Sequence, residues 1–227
     1  MKKFVISFLL SICVVLNVSL ANANDDFSII SISDELFSSK LYGRSYKTDF
    51  NVPQSDLRVV KVLHKTLDGK TKKGELIVNK AIAKDVKEIF EQLYLNNYPI
   101  EKIRLVDEYE ANDELSMEDN NSSSFNFRFI SNSKKVSKHG LGLAVDINTL
   151  YNPYVYYIND KLYVEPKNAS KYADRTKNFS YKIDKNDLAY KLFKKHGFIW
   201  GGDFSKRKDY QHFEVTDELV NTLYPSK

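Results

Sequence analysis

Residues 57–78 read LRVVKVLHKTLDGKTKKGELIV. Leu57 to Lys65 is rich in β-branched residues, Asp68-Gly69 is a turn pair, and Gly74 to Val78 is a second apolar run, so the segment commits the chain to an antiparallel hairpin. The next stretch, KAIAKDVKEIFEQLYLNN from Lys80 to Asn97, changes period. Ile82, Val86, Ile89, Phe90, Leu93 and Tyr94 recur at steps of three and four, which places them on one face of an amphipathic helix. A hairpin followed by a helix, with no regular βαβ alternation afterwards, favours an α+β fold: a small antiparallel sheet flanked by helices.

The remaining chain is read more coarsely. Ile103 to Tyr109 is expected as a third strand, residues 110–124 as an acidic loop, and Phe125 to Ile130 as a short strand. Leu141 to Ile147 reads as a strand or a strand running into a loop. Tyr151 to Phe179 is tyrosine-rich and irregular, with prolines at 153 and 166, and is expected to be a long surface loop. Asp184 is placed to cap a helix from Lys185 to about His196, stopped by Gly197. FIWGGDF and DYQHFEV then read as two closing strands joined by a basic turn. Residues 24–55 are expected as an N-terminal arm or linker, and 56–227 as one domain.

The N-terminus MKKFVISFLLSICVVLNVSLANA has a Lys-Lys start, an apolar stretch and a small-residue ending. It is expected to be a signal peptide, residues 1–23, with an uncleaved anchor as the alternative. Cys13 is the sole cysteine, so the chain beyond residue 23 has no disulfide framework and no thiol chemistry. Its ~200 residues suffice for an ordinary core. Without Lys2 and Lys3 the balance is 32 basic against 30 acidic residues. That net charge does not argue for nucleic acid. No later apolar run is long enough to cross a bilayer. These features point to an exported protein of the periplasm, cell wall or extracellular space, without a stable membrane span once the signal is removed, and expected as a monomer.

Four histidines are present: His64, His139, His196 and His212. His139 opens HGLGLAVD, which ends at Asp146; His212 lies in KDYQHFEV. Catalytic zinc sites commonly use three protein ligands from His, Asp and Glu. His139, Asp146 and His212 could supply such a set, with Gly140 and Gly142 allowing the chain to turn between the first two. A histidine in an apolar strand can equally be a satisfied structural residue, and spacing alone does not decide. Asp209, three residues before His212, is placed to act as a general base.

SKHGLGLAVD resembles the S-x-H-x-x-G-x-A-x-D motif of the D-alanyl-D-alanine carboxypeptidase and L-alanyl-D-glutamate endopeptidase family of zinc peptidases, and DYQHFE resembles that family's second motif. Further segments, among them YPIEKIRLVDEY, NNSSSFNFR, DINTLYNPYV, YADR and GFIWGGDF, follow in the family's order, so the likeness runs from about Leu57 to Val215. The resemblance implies the fold shared by D,D-peptidases and the hedgehog signalling domain. It implies one Zn2+ per chain on His139, Asp146 and His212, with Asp209 as catalytic base. It implies that Arg128 holds or polarises substrate and that Ser137 helps to bind it. Glu214 is expected either to orient a ligand histidine or to face solvent, Trp200 to wall the site or pack the core, and Asp203 to line the cleft or make the turn. The implied reaction is hydrolysis of a peptide bond in the peptidoglycan stem, by a carboxypeptidase or an endopeptidase. The alternative is a non-catalytic, zinc-containing wall-binding module of the same fold. Phe127 stands where the family often has cysteine, and Leu141-Gly142 where it has an aromatic-glycine pair; both bear on pocket shape.

Overall fold

The computed structural model describes residues 26–47, 52–130, 133 and 135–225. The expected signal peptide lies outside them. The first sheet has the order β1 (Ser28–Ser31), β2 (Leu57–Lys65), β3 (Thr71–Asn79), all antiparallel. The hairpin register runs from Leu57 opposite Asn79 to Lys65 opposite Thr71. Gly69 closes its turn at φ +81°, a conformation that needs no Cβ. Between β1 and β2 lies a short helix, α1 (Asp34–Leu36). Helix α2 (Ala83–Leu95) buries Ala83, Val86, Ile89, Phe90 and Leu93, the stripe expected from its period. Burying each large apolar side chain of that stripe stabilises the fold by ~1.5–3 kcal/mol.

Beyond α2 the structure departs from the expected elements. Only β4 (Lys102–Ile103) is extended, and Val106–Tyr109 is a 3-10 turn rather than strand. Side chains end the ladder. The Asn121 carboxamide accepts the Arg104 N–H at 2.8 Å and donates to its carbonyl at 3.0 Å. Asp107, now buried, accepts the Ser45 N–H at 3.1 Å and hydroxyl at 2.8 Å. The expected acidic loop contains α3 (Asp113–Glu118), capped by Asn112 accepting the Leu115 N–H, and β5 (Asn121–Ser122), which pairs in parallel with β4. Phe125 to Ile130 forms no regular strand. The Phe125 N–H reaches Ile77 O at 3.1 Å while the Phe127 N–H reaches Ser45 O at 2.8 Å, so successive donors go to different segments.

The tyrosine-rich stretch is likewise ordered where a loop was expected. It contains a hairpin of β7 (Tyr154–Ile158) and β8 (Lys161–Glu165). The two-residue turn Asn159-Asp160 has φ +48° and +60°. That is the pattern of a turn whose twist matches its strands. Helix α4 (Leu188–Lys195) starts later than expected. Its cap is Asp187, which accepts the Ala189 and Tyr190 N–H groups, while Asp184 closes the preceding turn on the Asn186 N–H. Gly197, at φ +83°, stops the helix as expected.

Two further sheets complete the architecture. One has the order β6 (Ala144–Asp146), β11 (His212–Glu214), β9 (Ile199–Trp200). The other has β10 (Lys208–Asp209), β7, β8. Helix α5 (Asp217–Leu223) follows, capped by Thr216. The assembly is α+β, with several small antiparallel sheets rather than one. Phe193 of α4 stacks on Phe213 at 4.2 Å and meets Phe198 edge-on, tying α4 to the sheet that carries His212. Among the described residues no helix is long and apolar enough to cross a membrane.

Candidate metal centre

His139 opens a 3-10 turn, His139–Leu141, that ends at Gly142 with φ +66°. The Gly142 carbonyl accepts the Asn79 N–H at 2.7 Å, and a Cβ at Gly142 would lie 2.7 Å from that nitrogen. Glycine there lets the turn close against the end of β3 before the chain enters β6. Asp146 ends β6 and His212 begins β11, and the antiparallel register sets the two directly opposite each other.

The three side chains converge. His139 Nε2 lies 3.0 Å from His212 Nδ1 and 3.2 Å from Asp146 Oδ2, and His212 Nδ1 lies 3.0 Å from Asp146 Oδ1. All three residues are buried. Their other contacts fix the tautomers. His139 Nδ1 is 2.6 Å from the Ser124 carbonyl, which only accepts, so that nitrogen carries the hydrogen. His212 Nε2 faces Glu214 Oε2 at 2.9 Å and donates for the same reason. When the rings are neutral, two imidazole lone pairs and a carboxylate therefore point at one another, and a cation is what such a trio requires. A tetrahedral Zn2+ with ligand bonds of ~2.0–2.1 Å sets its donors about 3.3 Å apart. The observed separations fit that ion.

The electrostatics agree. Burial pulls the His212 imidazolium down, but its hydrogen bonds to Asp146 and Glu214 and the charges of Asp146 and Asp209 outweigh this and push its pKa up to about 10. Burial opposes the Asp146 charge too, yet His139 and His212 hold that carboxyl well below its usual range. Asp209 is different. Burial and the charge of Asp146 push it up to about 7, against the opposing influence of His212, Gln211 and Arg128. Its Oδ1 is buried without a hydrogen-bond partner. An unsatisfied carboxylate oxygen at this depth is costly and calls for a ligand or water. Gly201 allows the approach, since a Cβ there would fall 2.8 Å from Asp209 Cβ and 3.2 Å from His212 Cβ.

The other expected residues are distributed around this centre. Arg128 is half-buried, pairs with Asp113 at 3.0 Å, and is close enough for Asp209 to feel its charge. The Ser137 hydroxyl accepts the His139 N–H at 3.3 Å, and its own N–H donates to Arg128 O at 2.9 Å. Glu214 bridges His212 and Lys138, whose Nζ is 2.8 Å away. Trp200 is only 4% exposed and donates its indole N–H to Tyr210 O at 2.9 Å, so it backs the centre from the core. Asp203 ends the 3-10 turn Gly201–Asp203 and pairs with Lys185 at 3.3 Å. His64, bonded to Ile100 O, and His196, paired with Asp85, take no part. Sequence reasoning missed Ser124 and Lys138. The first acts through its backbone carbonyl, which leaves no residue-type signal; the second is a buried lysine inside the motif.

None of the curated proteins and none of the solved structures gave a match to the chain. Residues 131–215 match a family model described as D-alanyl-D-alanine carboxypeptidase. The matched segment is less than half of the chain, but it holds His139, Asp146, Asp209 and His212, and it supports a peptidase of the metal-dependent class.

Proposed function

We propose that the protein is a zinc-dependent peptidase that hydrolyses a peptide bond in the peptidoglycan stem, exported to the periplasm or cell wall. The observation that carries this reading is the convergence of two imidazole lone pairs and the Asp146 carboxylate beside the unpartnered oxygen of Asp209. His139, Asp146 and His212 hold one Zn2+. That ion, when bound, polarises the scissile carbonyl and lowers the pKa of water towards about 7. Asp209 takes the proton of the attacking water and returns it to the leaving nitrogen. Its buried, half-raised carboxyl suits both steps. Arg128 has donors beyond the one on Asp113, and these hold the substrate or the developing oxyanion. Ser137 binds substrate beside it, Asp203 stands at the rim of the cleft with Trp200 behind it, and Glu214 keeps His212 in its ligating tautomer.

The bond cut is the terminal D-Ala–D-Ala bond, the L-Ala–D-Glu bond or a D,D-crosslink, and mass spectrometry of digested muropeptides distinguishes them. Asp209→Ala is expected to abolish turnover while keeping one zinc per chain. Full activity in that variant would overturn the assignment. Stoichiometric zinc in the wild type with no cleavage of any muropeptide would favour the wall-binding module instead.

A further inference from the structure

The chain entering the strand that carries Asp209 bears a cation, Arg207, that no acidic side chain among the described residues pairs with. In the β10–β7–β8 sheet, Asp209 lies opposite Tyr154, Tyr154 opposite Glu165, and Tyr156 opposite Tyr163. Directly opposed residues project from the same face of an antiparallel sheet. Asp209, Tyr154, Tyr156, Tyr163 and Glu165 therefore share one face. Arg207, two residues before Asp209, joins it: its Nη1 donates to the Tyr154 hydroxyl at 3.1 Å, and its guanidinium lies over the Tyr156 ring at 5.5 Å. Tyr156 stacks on Tyr163 at 5.3 Å and 9°.

The guanidinium is thus aimed rather than free to wander. Arg207 is exposed, and among the described residues no carboxylate pairs with it. Glu165, the acid on this face besides Asp209, is engaged by the Tyr156 hydroxyl at 2.9 Å. Among the described residues only one of the five guanidinium N–H donors has an acceptor. An arginine held by a ring face and a hydroxyl is preorganised to fork onto a carboxylate.

We infer that Arg207 is a substrate-binding residue that takes the carboxylate borne by the leaving-group residue, the one whose nitrogen Asp209 protonates. The inference rests on the proposed hydrolysis. In the D-Ala–D-Ala bond, in the L-Ala–D-Glu bond and in a D,D-crosslink made through diaminopimelate, the leaving nitrogen sits on a carbon that also bears a carboxylate, so one cation near the base serves them all. Arg207 reads the leaving half of the substrate, and Arg128 the other half.

The test compares stem peptides whose leaving-residue carboxylate is free or amidated. The wild type is expected to favour the free acid in kcat/KM by about tenfold or more. Arg207→Gln should lose that preference, chiefly through a raised KM for the free acid, with the amidated peptide unaffected and zinc content unchanged. Arg207→Lys should restore part of it. A preference that survives Arg207→Gln, or an equal loss on both peptides, overturns the inference. Calorimetric binding of the two peptides to the zinc-loaded Asp209→Ala protein separates this from the proposed reaction. If the wild type cleaves nothing but Asp209→Ala binds the free acid tighter in an Arg207-dependent way, the reaction fails and the subsite stands. If neither peptide binds, the subsite fails as well.

Discussion

Glu214 is the most informative place to perturb the centre without touching a ligand. Its carboxylate accepts from His212 Nε2 at 2.9 Å and from Lys138 Nζ at 2.8 Å. Glu214→Ala removes both. The ring of His212 is then free to place its hydrogen on Nδ1, the atom that must present a lone pair. Loss of a partner of this kind weakens metal binding roughly 10–100-fold, or about 1.4–2.7 kcal/mol at 1.36 kcal/mol per tenfold. Lys138 keeps Val215 O at 2.7 Å and Asp217 at 2.8 Å, so the cost to the metal-free fold is that of one charged hydrogen bond, about 1–3 kcal/mol. Glu214→Gln separates the two effects. Its amide oxygen can still accept from His212, so zinc affinity should fall by less than about tenfold. Competition against a chromophoric chelator gives the affinity, and melting in excess chelator gives the stability. If Glu214→Ala melts lower but holds zinc as the wild type does, Glu214 serves Lys138 alone and the tautomer argument for His212 is wrong.

Other outcomes follow from the same geometry. In chelated protein, the stabilisation from His212 is complete below the ordinary histidine range and is lost as pH rises through about 10. That from Asp146, held low, is present above the ordinary carboxyl range and is lost only in acid. Asp209, raised to about 7, costs stability progressively as pH climbs from the ordinary carboxyl range to that value. The metal-free Tm should therefore fall between pH 6 and 9.5, while the gain on adding Zn2+ grows as protons cease to compete, and a gain independent of pH would contradict this. Gly142→Ala forces a Cβ to 2.7 Å from the Asn79 nitrogen at φ +66°, and chemical denaturation should show a loss of about 1–3 kcal/mol. Phe193→Ala empties a fully buried site stacked on Phe213. It should cost about 3–5 kcal/mol and lower Tm by roughly 10 °C.

How much the sequence discloses depends on where each element gets its order. The first hairpin and α2 are legible because their apolar periods are long and their burial is one-sided. The hairpin of β7 and β8 is hidden because tyrosines occupy both of its faces, so residue type does not alternate although geometry does. Its Asn159-Asp160 turn was the overlooked signal. The extent of β4 is set by the side chains of Asn121 and Asp107, which lie outside or at the end of the expected strand and cannot be weighed from local pattern. At the centre, residue types and spacing suggest His139, Asp146, His212 and Asp209. What spacing cannot give is the opposition of Asp146 and His212, which comes from sheet register, or the carbonyl of Ser124.

Between Asp209 and His212 the chain leaves one sheet and enters another. The proposed proton acceptor and two of the proposed metal ligands, Asp146 and His212, therefore sit on different sheets joined by two residues, Tyr210 and Gln211. Tyr210 is held at its carbonyl by the Trp200 indole and at its ring by the Arg175 guanidinium 4.3 Å away. A change on the surface of the β7–β8 hairpin therefore bears first on the sheet that holds the base, and reaches His212 through the Tyr210 joint.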